Sequence, residues 1–372
     1  MNQNFYIYTN GLLQRNDNTL RFITEDGTKK DIPVEHVEDI YIMGELTLNT
    51  KLINLLSQNG ICLHFFNYYS FYSATLYPRE KKVSGILLIK QVQHYEDHEK
   101  RLILAKEFVS GAADNIYRNL RYYNGRGKDL SKYMSDIDSL RKQIPFLSSI
   151  NSLMGIEGNI RKIYYQTWTT IINQDINFDK RVKRPPDNMI NTLISYVNSL
   201  IYTSVLSQLY HTQLNPTISY LHAAGNKRFS LSLDIAEIFK PLIGDRMIFS
   251  LLNKNQIQEK HFTKELNYLH LTKEGSQIIM DDYDKRLKTI IKHKDLNREV
   301  SYNYLMRLEA YKLIKHLIGE KEYNSFRIYL SIEKDRLCGA MCSKLVKNIY
   351  HMYRTQFSRV RFQNHSYLSS IN

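Results

Sequence analysis

The chain changes character at Tyr77-Pro78-Arg79-Glu80-Lys81-Lys82-Val83-Ser84, a proline followed by four consecutive charged residues. Upstream of it, apolar residues come in short aromatic and β-branched runs separated by turn pairs. Phe5-Tyr6-Ile7-Tyr8 precedes Asn10-Gly11, and Leu20-Arg21-Phe22-Ile23-Thr24 precedes Asp26-Gly27. Residues 37–43 and 61–66 continue the pattern, and one short helix is predicted over 51–58, closed by Asn59-Gly60. Downstream, the apolar spacing becomes helical: Leu88, Val92, Leu102, Ala105, Val109, Ile116 and Leu120 recur among charges between residues 85 and 123. Further helices are predicted near 130–143, 156–174, 187–211, 232–252, 272–293, 299–319 and 340–358. The expected fold is therefore α+β. A small, mostly antiparallel β domain (1–82) precedes a larger all-α domain (83–330), and a basic extension (331–372) follows.

Charge follows the same division. The chain holds 51 Lys+Arg against 37 Asp+Glu, a net of +14 over 372 residues. Residues 1–82 carry −1 and the remainder +15, of which +5 lies in 331–372. A positive excess points to nucleic acid or an anionic membrane surface as partner. Residues 188–210 carry no formal charge, but ten of these 23 are Asn, Ser, Thr or Gln, so a membrane span is not expected. Three cysteines build no disulfide framework, and no secretory signal is expected because no charge precedes Arg15. The expected location is the cytoplasm. Cys338 and Cys342 lie one turn apart without a matching Cys or His pair, and read as small helix residues.

Three local clusters carry chemistry. Gly155-Ile156-Glu157-Gly158 opens a basic, aromatic helix through Arg161, Lys162, Tyr164 and Tyr165, and a carboxylate near a helix N-terminus is the plain alternative. Asn215-Pro216 leads to Leu221-His222, where an ordinary loop histidine is the alternative. Asp234 and Glu237 stand three apart, the spacing of a capping box without chemistry. Taken together, Glu157, His222 and Glu237 offer two carboxylates and an imidazole in a basic domain. Phosphodiester chemistry uses a divalent cation to neutralise developing charge, and this donor set suits Mg²⁺ or Mn²⁺. Arg161, Lys162, Arg184, Lys227, Arg228, Lys240 and Arg246 are candidate contacts to a phosphate backbone.

At these residues the sequence resembles the Cas1 family of CRISPR-associated integrases, and within it the type I-B members. The match runs through Gly155-Ile156-Glu157-Gly158 with Tyr164-Tyr165, then Arg184-Pro185-Pro186 with Asn191 and Ser195. It continues through Asn215-Pro216 to His222, and through Ser230-Leu231, Asp234, Glu237, Phe239, Pro241 and Asp245-Arg246. Arg307-Leu308-Glu309-Ala310, Lys312, His316-Leu317 and Tyr323 extend it, with Ile32-Pro33-Val34 and His64-Phe65-Phe66-Asn67 in the β part. Ile238, Lys240 and Ala223 depart from the common pattern, and residues beyond about 330 have no counterpart.

The resemblance implies a metal-dependent integrase with endonuclease activity on branched DNA. It implies Glu157, His222 and Glu237 as ligands, with Asp234 as an additional acidic position. Its expected partners are a short duplex with free 3′ ends, CRISPR repeat DNA, a second copy of the chain held mainly through the β domain, and a Cas2 dimer. The alternatives are a structure-selective repair nuclease and a non-catalytic DNA-binding scaffold of the same fold. The intact set of three candidate ligands argues against the scaffold.

Overall fold

The computed structural model describes residues 3–328, except 70–71, 79–81, 177, 179, 183–185, 226–228, 266–267 and 294–295. The extension 331–372, with its expected helix at 340–358, lies outside the described residues, as do Arg184, Lys227 and Arg228.

The N-terminal part contains β1 (Gln3–Ile7), β2 (Gly11–Asn16), β3 (Thr19–Thr24), β4 (Lys29–Pro33), β5 (Val37–Ile42), β6 (Leu46–Leu48), α1 (Thr50–Asn59), β7 (Cys62–Phe66) and β8 (Tyr72–Leu76). They form two four-stranded sheets, ordered β1-β5-β7-β8 and β4-β3-β2-β6. The expectation of a mostly antiparallel sheet needs correction: β1–β5, β5–β7 and β2–β6 pair in parallel. Parallel neighbours need a crossover. The β2–β4 meander carries the chain from β1 to β5, and α1 carries it from β6 to β7. Asn49 caps α1 by accepting from Leu52 N at 2.9 Å, and Gly60 closes it at φ +72°, where a side chain would be strained. Leu52, Leu55 and Leu56 face a core with Leu13, Leu20, Ile40, Ile42 and Leu63. Each such buried side chain contributes about 1.5–3 kcal/mol of transfer free energy.

The helical part follows as α2 (Gly85–Glu96), α3 (His98–Asn124), α4 (Ser131–Gln143), α5 (Ile150–Gln166), α6 (Trp168–Ile171), α7 (Met189–Tyr210), α8 (Ser230–Phe239) and α9 (Arg246–Asn253). A hairpin of β9 (Phe262–Glu265) and β10 (Tyr268–Leu271) comes next, then α10 (Lys273–Lys288). A second hairpin, β11 (Ile290–His293) and β12 (Arg298–Ser301), leads into α11 (Tyr302–Leu317). The two hairpins correct the all-α expectation. Ile290 and Ile291, apolar and β-branched, leave the predicted 272–293 helix and pair with Ser301 and Val300. The helical stretch from 85 to 123 is broken at Asp97, whose side chain accepts from Glu99 N and Lys100 N and so starts α3.

The predicted 232–252 helix is also interrupted. Between α8 and α9 lies one π turn, Lys240–Asp245, holding Pro241. Proline has no amide hydrogen to donate, so the α-helical ladder cannot run through it. Carbonyls at this point are met from α3: Asn115 Nδ2 donates to Ile238 O at 3.1 Å and Asn119 Nδ2 to Pro241 O at 2.8 Å. Helix α7 is long and apolar enough to cross a membrane, yet it is mostly buried among its neighbours. Its Ser204 accepts from Tyr283 and hydrogen bonds with Tyr41, and its Ser207 donates to Asp39. These contacts seat the β1-β5-β7-β8 sheet on the helical part.

Candidate active site

Glu157 is the eighth residue of α5, which starts at Ile150 behind the Ser149 cap. A carboxylate serving the helix N-terminus would lie in the first turn, so that alternative fails. Glu157 instead shares a face with Arg161 one turn on, and Arg161 Nε donates to Glu157 Oε1 at 2.5 Å. The same guanidinium reaches across to α8, where Nη2 donates to Glu237 Oε2. The other oxygen of Glu237 accepts from Lys240 Nζ. Arg161 therefore bridges the two carboxylates, and both oxygens of Glu237 are held by cations. Burial alone would raise the Glu237 pKa, but Arg161 and Lys240 outweigh it and hold the group at about 2. Burial likewise opposes the Arg161 charge, and Glu237 with Glu157 more than restores it.

Asp234 settles the capping-box question. Helix α8 begins at Ser230 with Phe229 as its N-cap, so Asp234 lies in its second turn and caps nothing. Its carboxylate is fully buried and organises the preceding loop. Oδ2 accepts from Tyr220 N at 2.6 Å and Leu221 N at 2.9 Å. Oδ1 accepts from His222 N at 3.0 Å and from His222 Nδ1 at 2.7 Å. A carboxylate without its proton only accepts, so Nδ1 carries the hydrogen and Nε2 is left as the open face of the ring. Burial disfavours a charged His222 ring, but the bond to Asp234 and its charge outweigh burial and raise the pKa. Glu237 adds to that pull, which places the imidazole within the electrostatic reach of the carboxylates.

The loop itself is fastened from two sides. Asn215 Oδ1 accepts from Thr217 N at 2.9 Å and from Thr217 Oγ1 at 2.6 Å, an Asx turn beside Pro216. The buried Gln91 of α2 clasps the Asn215 backbone, accepting from its N–H at 2.8 Å and donating to its carbonyl at 3.1 Å. Arg101 of α3 donates to Tyr220 O at 2.9 Å.

The remaining candidates are dispersed. Lys162 is exposed and lines a shallow cavity of about 460 Å³ between α4 and α5, with Asp136, Ser139 and Asn159. Arg246 donates through Nε to Asn119 Oδ1 at 2.7 Å. Two further buried or half-buried charged residues were given no role by sequence reasoning, although Asp245 stood in the matched pattern. Asp245 ends the π turn, 4% exposed, and its Oδ2 has no hydrogen-bond partner among the described residues. Burial pushes its pKa up to about 7 against the opposing pull of Arg161. Arg181 is held by Asn191 Oδ1 at 3.0 Å and Ser195 Oγ at 2.7 Å. Burial lowers the Arg181 pKa. The signal for it was the pair Asn191 and Ser195, one helical turn apart with polar side chains on one face.

Among the described residues, no three His, Cys, Asp or Glu side chains stand together ready to hold an ion, and Arg161 bonds both Glu157 and Glu237. The donor chemistry nonetheless fits: two carboxylates and an imidazole whose Nδ1, not Nε2, is taken up by Asp234 are a ligand set for Mg²⁺ or Mn²⁺.

The fold is a strand-rich domain followed by a helical one, and in the helical one two carboxylates share an arginine. The family model described as "CRISPR associated protein Cas1" matches residues 5–285. A protein of Fusobacterium nucleatum named "CRISPR-associated endonuclease Cas1" is 60% identical over 329 residues, which cover 88% of this chain and 97% of that one. The solved structure of a Cas1 protein from Thermotoga maritima superposes with a TM-score of 0.78 at 40% identity, covering 87% of this chain and all of that one. A chain from a solved "Cas6-RT-Cas1–Cas2 complex" shares the fold at a TM-score of 0.77 and 16% identity, over 88% of this chain and 36% of that one. The chain belongs to the Cas1 family, the CRISPR-associated endonucleases of spacer acquisition.

Proposed function

We propose that Glu157, His222 and Glu237 form a divalent-cation site for DNA strand transfer and for cleavage of branched DNA. The observation that carries this reading is the convergence of Glu157 and Glu237 on one cation; His222, whose Nδ1 is tied to Asp234, feels the charge of Glu237. A carboxylate behind the histidine fixes the tautomer that leaves Nε2 to a ligand. Mg²⁺ or Mn²⁺ bound there supplies Lewis acidity at the scissile phosphate. Glu157 and Glu237 provide the negative charge that holds the ion, and Asp234 keeps His222 aimed. Lys162 and Arg246, outside the carboxylate pair, are left to meet the phosphate backbone, together with Arg184, Lys227 and Arg228.

The substrates proposed are a short duplex with free 3′ ends and the CRISPR repeat, the 3′ hydroxyl attacking a repeat phosphodiester. Residues 1–82, with net charge −1, serve self-association, and residues 83–330 serve DNA and catalysis. The partner complex is a homodimer joined to a Cas2 dimer in the cytoplasm; a Cas1–Cas2 assembly of the same fold supports that pairing. The test is strand transfer of a labelled duplex into a repeat-bearing plasmid, with Mn²⁺, Mg²⁺ or chelator. Glu237→Gln keeps the shape but removes the charge, so transfer is lost at ordinary ion concentration. Wild-type transfer by a folded Glu237→Gln protein, or undiminished transfer in chelator, would overturn the assignment.

A further inference from the structure

We propose that Arg161 is a built-in occupant of the cation place between Glu157 and Glu237, and that ion entry transfers its guanidinium to the open oxygen of Asp245. The proposal rests on the cation site assigned above and adds how that site is kept before an ion arrives.

The starting point is the saturation of Glu237. Oε1 is held by Lys240 and Oε2 by Arg161, while Arg161 also holds Glu157 Oε1. A divalent ion drawn to these oxygens meets cations already bound to them, and like charges at contact distance repel. One cation must yield. Lys240 sits on Glu237 alone, from one turn along the same helix, and can keep Oε1 while the ion takes Oε2. Arg161 lies between the two carboxylates, where the ion itself must sit, so Arg161 is the group displaced.

A guanidinium in so buried a place needs another acceptor, because a charge left unpaired there is costly. Asp245 supplies one. It is 4% exposed, its Oδ2 has no hydrogen-bond partner among the described residues, and its charge already attracts Arg161. An orphaned carboxylate oxygen inside a core is unusual, since buried polar atoms are nearly always paired. It is explained if its partner is shared with another site and arrives only in the second state.

Two consequences separate this from a fixed structural ion pair. Arg161 competes with the ion, so removing its head group raises ion affinity. Asp245 receives Arg161, so removing its charge lowers ion affinity, but only while Arg161 is present. The experiment is Mn²⁺ binding to the full-length protein, followed by electron paramagnetic resonance and calorimetry. The variants are Arg161→Met, which keeps the stem, Asp245→Asn, and the two combined. Arg161→Met is expected to bind Mn²⁺ more tightly by about tenfold, a typical coupling between sites. Asp245→Asn is expected to bind several-fold more weakly, and in the Arg161→Met background that loss should vanish.

Unchanged or weaker binding by a folded Arg161→Met protein would overturn the proposal. So would an Asp245→Asn loss that persists undiminished in the double variant. Should Arg161→Met fail to fold, Asp245→Asn alone decides: Mn²⁺ affinity equal to wild type refutes the transfer. Absence of Mn²⁺ binding in wild type and Glu237→Gln alike would instead refute the underlying site.

Discussion

Replacing Asp234 with Asn probes the loop that carries His222. Both carboxylate oxygens face only donors: Tyr220 N and Leu221 N on one side, His222 N and Nδ1 on the other. An asparagine must turn its NH₂ toward one of those pairs. Two hydrogen bonds to a charged acceptor are then lost, each contributing about 1.5–3 kcal/mol. Partial relaxation of the loop leaves a destabilisation of roughly 3–4 kcal/mol. For a chain of this size that lowers the melting temperature by about 4–5 °C. Melting followed by circular dichroism reads the stability, and the nitrogen resonances of His222 read the tautomer. Strand transfer should fall because Nδ1–H is no longer fixed. A cap would tolerate this change, since Asn caps as well as Asp. Melting within about 1 °C of wild type, with normal transfer, would refute the buried anchoring role.

Glu157→Ala should abolish transfer while DNA binding stays within about twofold, because cationic contacts to phosphate supply most of the affinity; loss of binding in a filter assay would contradict this. Burial, with Arg307 and Lys82 nearby, lowers His211 to about 4 from 6.5. The unfolded chain therefore takes the proton first as pH falls, and stability declines from pH 6.5 toward 4 by at most about 3 kcal/mol. Denaturant titrations of His211→Gln should lack that part of the slope, about 1.4 kcal/mol per pH unit; an unchanged slope would exclude His211 as its source. In Gly111→Ala the new methyl would lie 2.4 Å from Ser325 Oγ and 2.9 Å from Ser325 Cβ. The clash should cost about 1–3 kcal/mol, read as a shifted urea midpoint with unchanged slope.

The change from a strand-rich to a helical part and most helices were legible because periodicity and caps are local signals. Asn59-Gly60 ended α1 where expected, and 131–143 and 189–210 fell within a few residues of their predicted bounds. What escaped was set by distant partners. The parallel pairing of β1 with β5 depends on the whole meander folding between them. The break at residues 240–245 depends on Asn115 and Asn119 of α3 meeting the carbonyls freed near Pro241. The candidate site was legible as residue types, and the resemblance supplied the expectation of which belong together; of these the structure joins Glu157 to Glu237 through Arg161, and His222 to Asp234. The bridging of Glu157 to Glu237 by Arg161 was not legible, because a basic residue at i+4 reads locally as a single ion pair or a phosphate contact. Asp234 was open between two readings, and only its four donors, all from residues 220–222, decide for neither cap nor free ligand.

The π turn also sets a phase. Glu237 and Asp245 are eight residues apart. At about 100° per residue, an uninterrupted α-helix would point them roughly 80° apart. A π turn accommodates one residue more than the α-helix does, so the pair is separated in effect by seven steps, a misalignment of only about 20°. Chain length between the two acids is therefore as much a determinant of the site as their identity. Deleting one residue within 240–245 would rotate all of α9 by about 100°. Asp245 would turn away from Arg161, and Met247, Phe249 and Leu252 would leave the core they now occupy. Related sequences can vary the side chains along this stretch, but their alignment here should admit no gap.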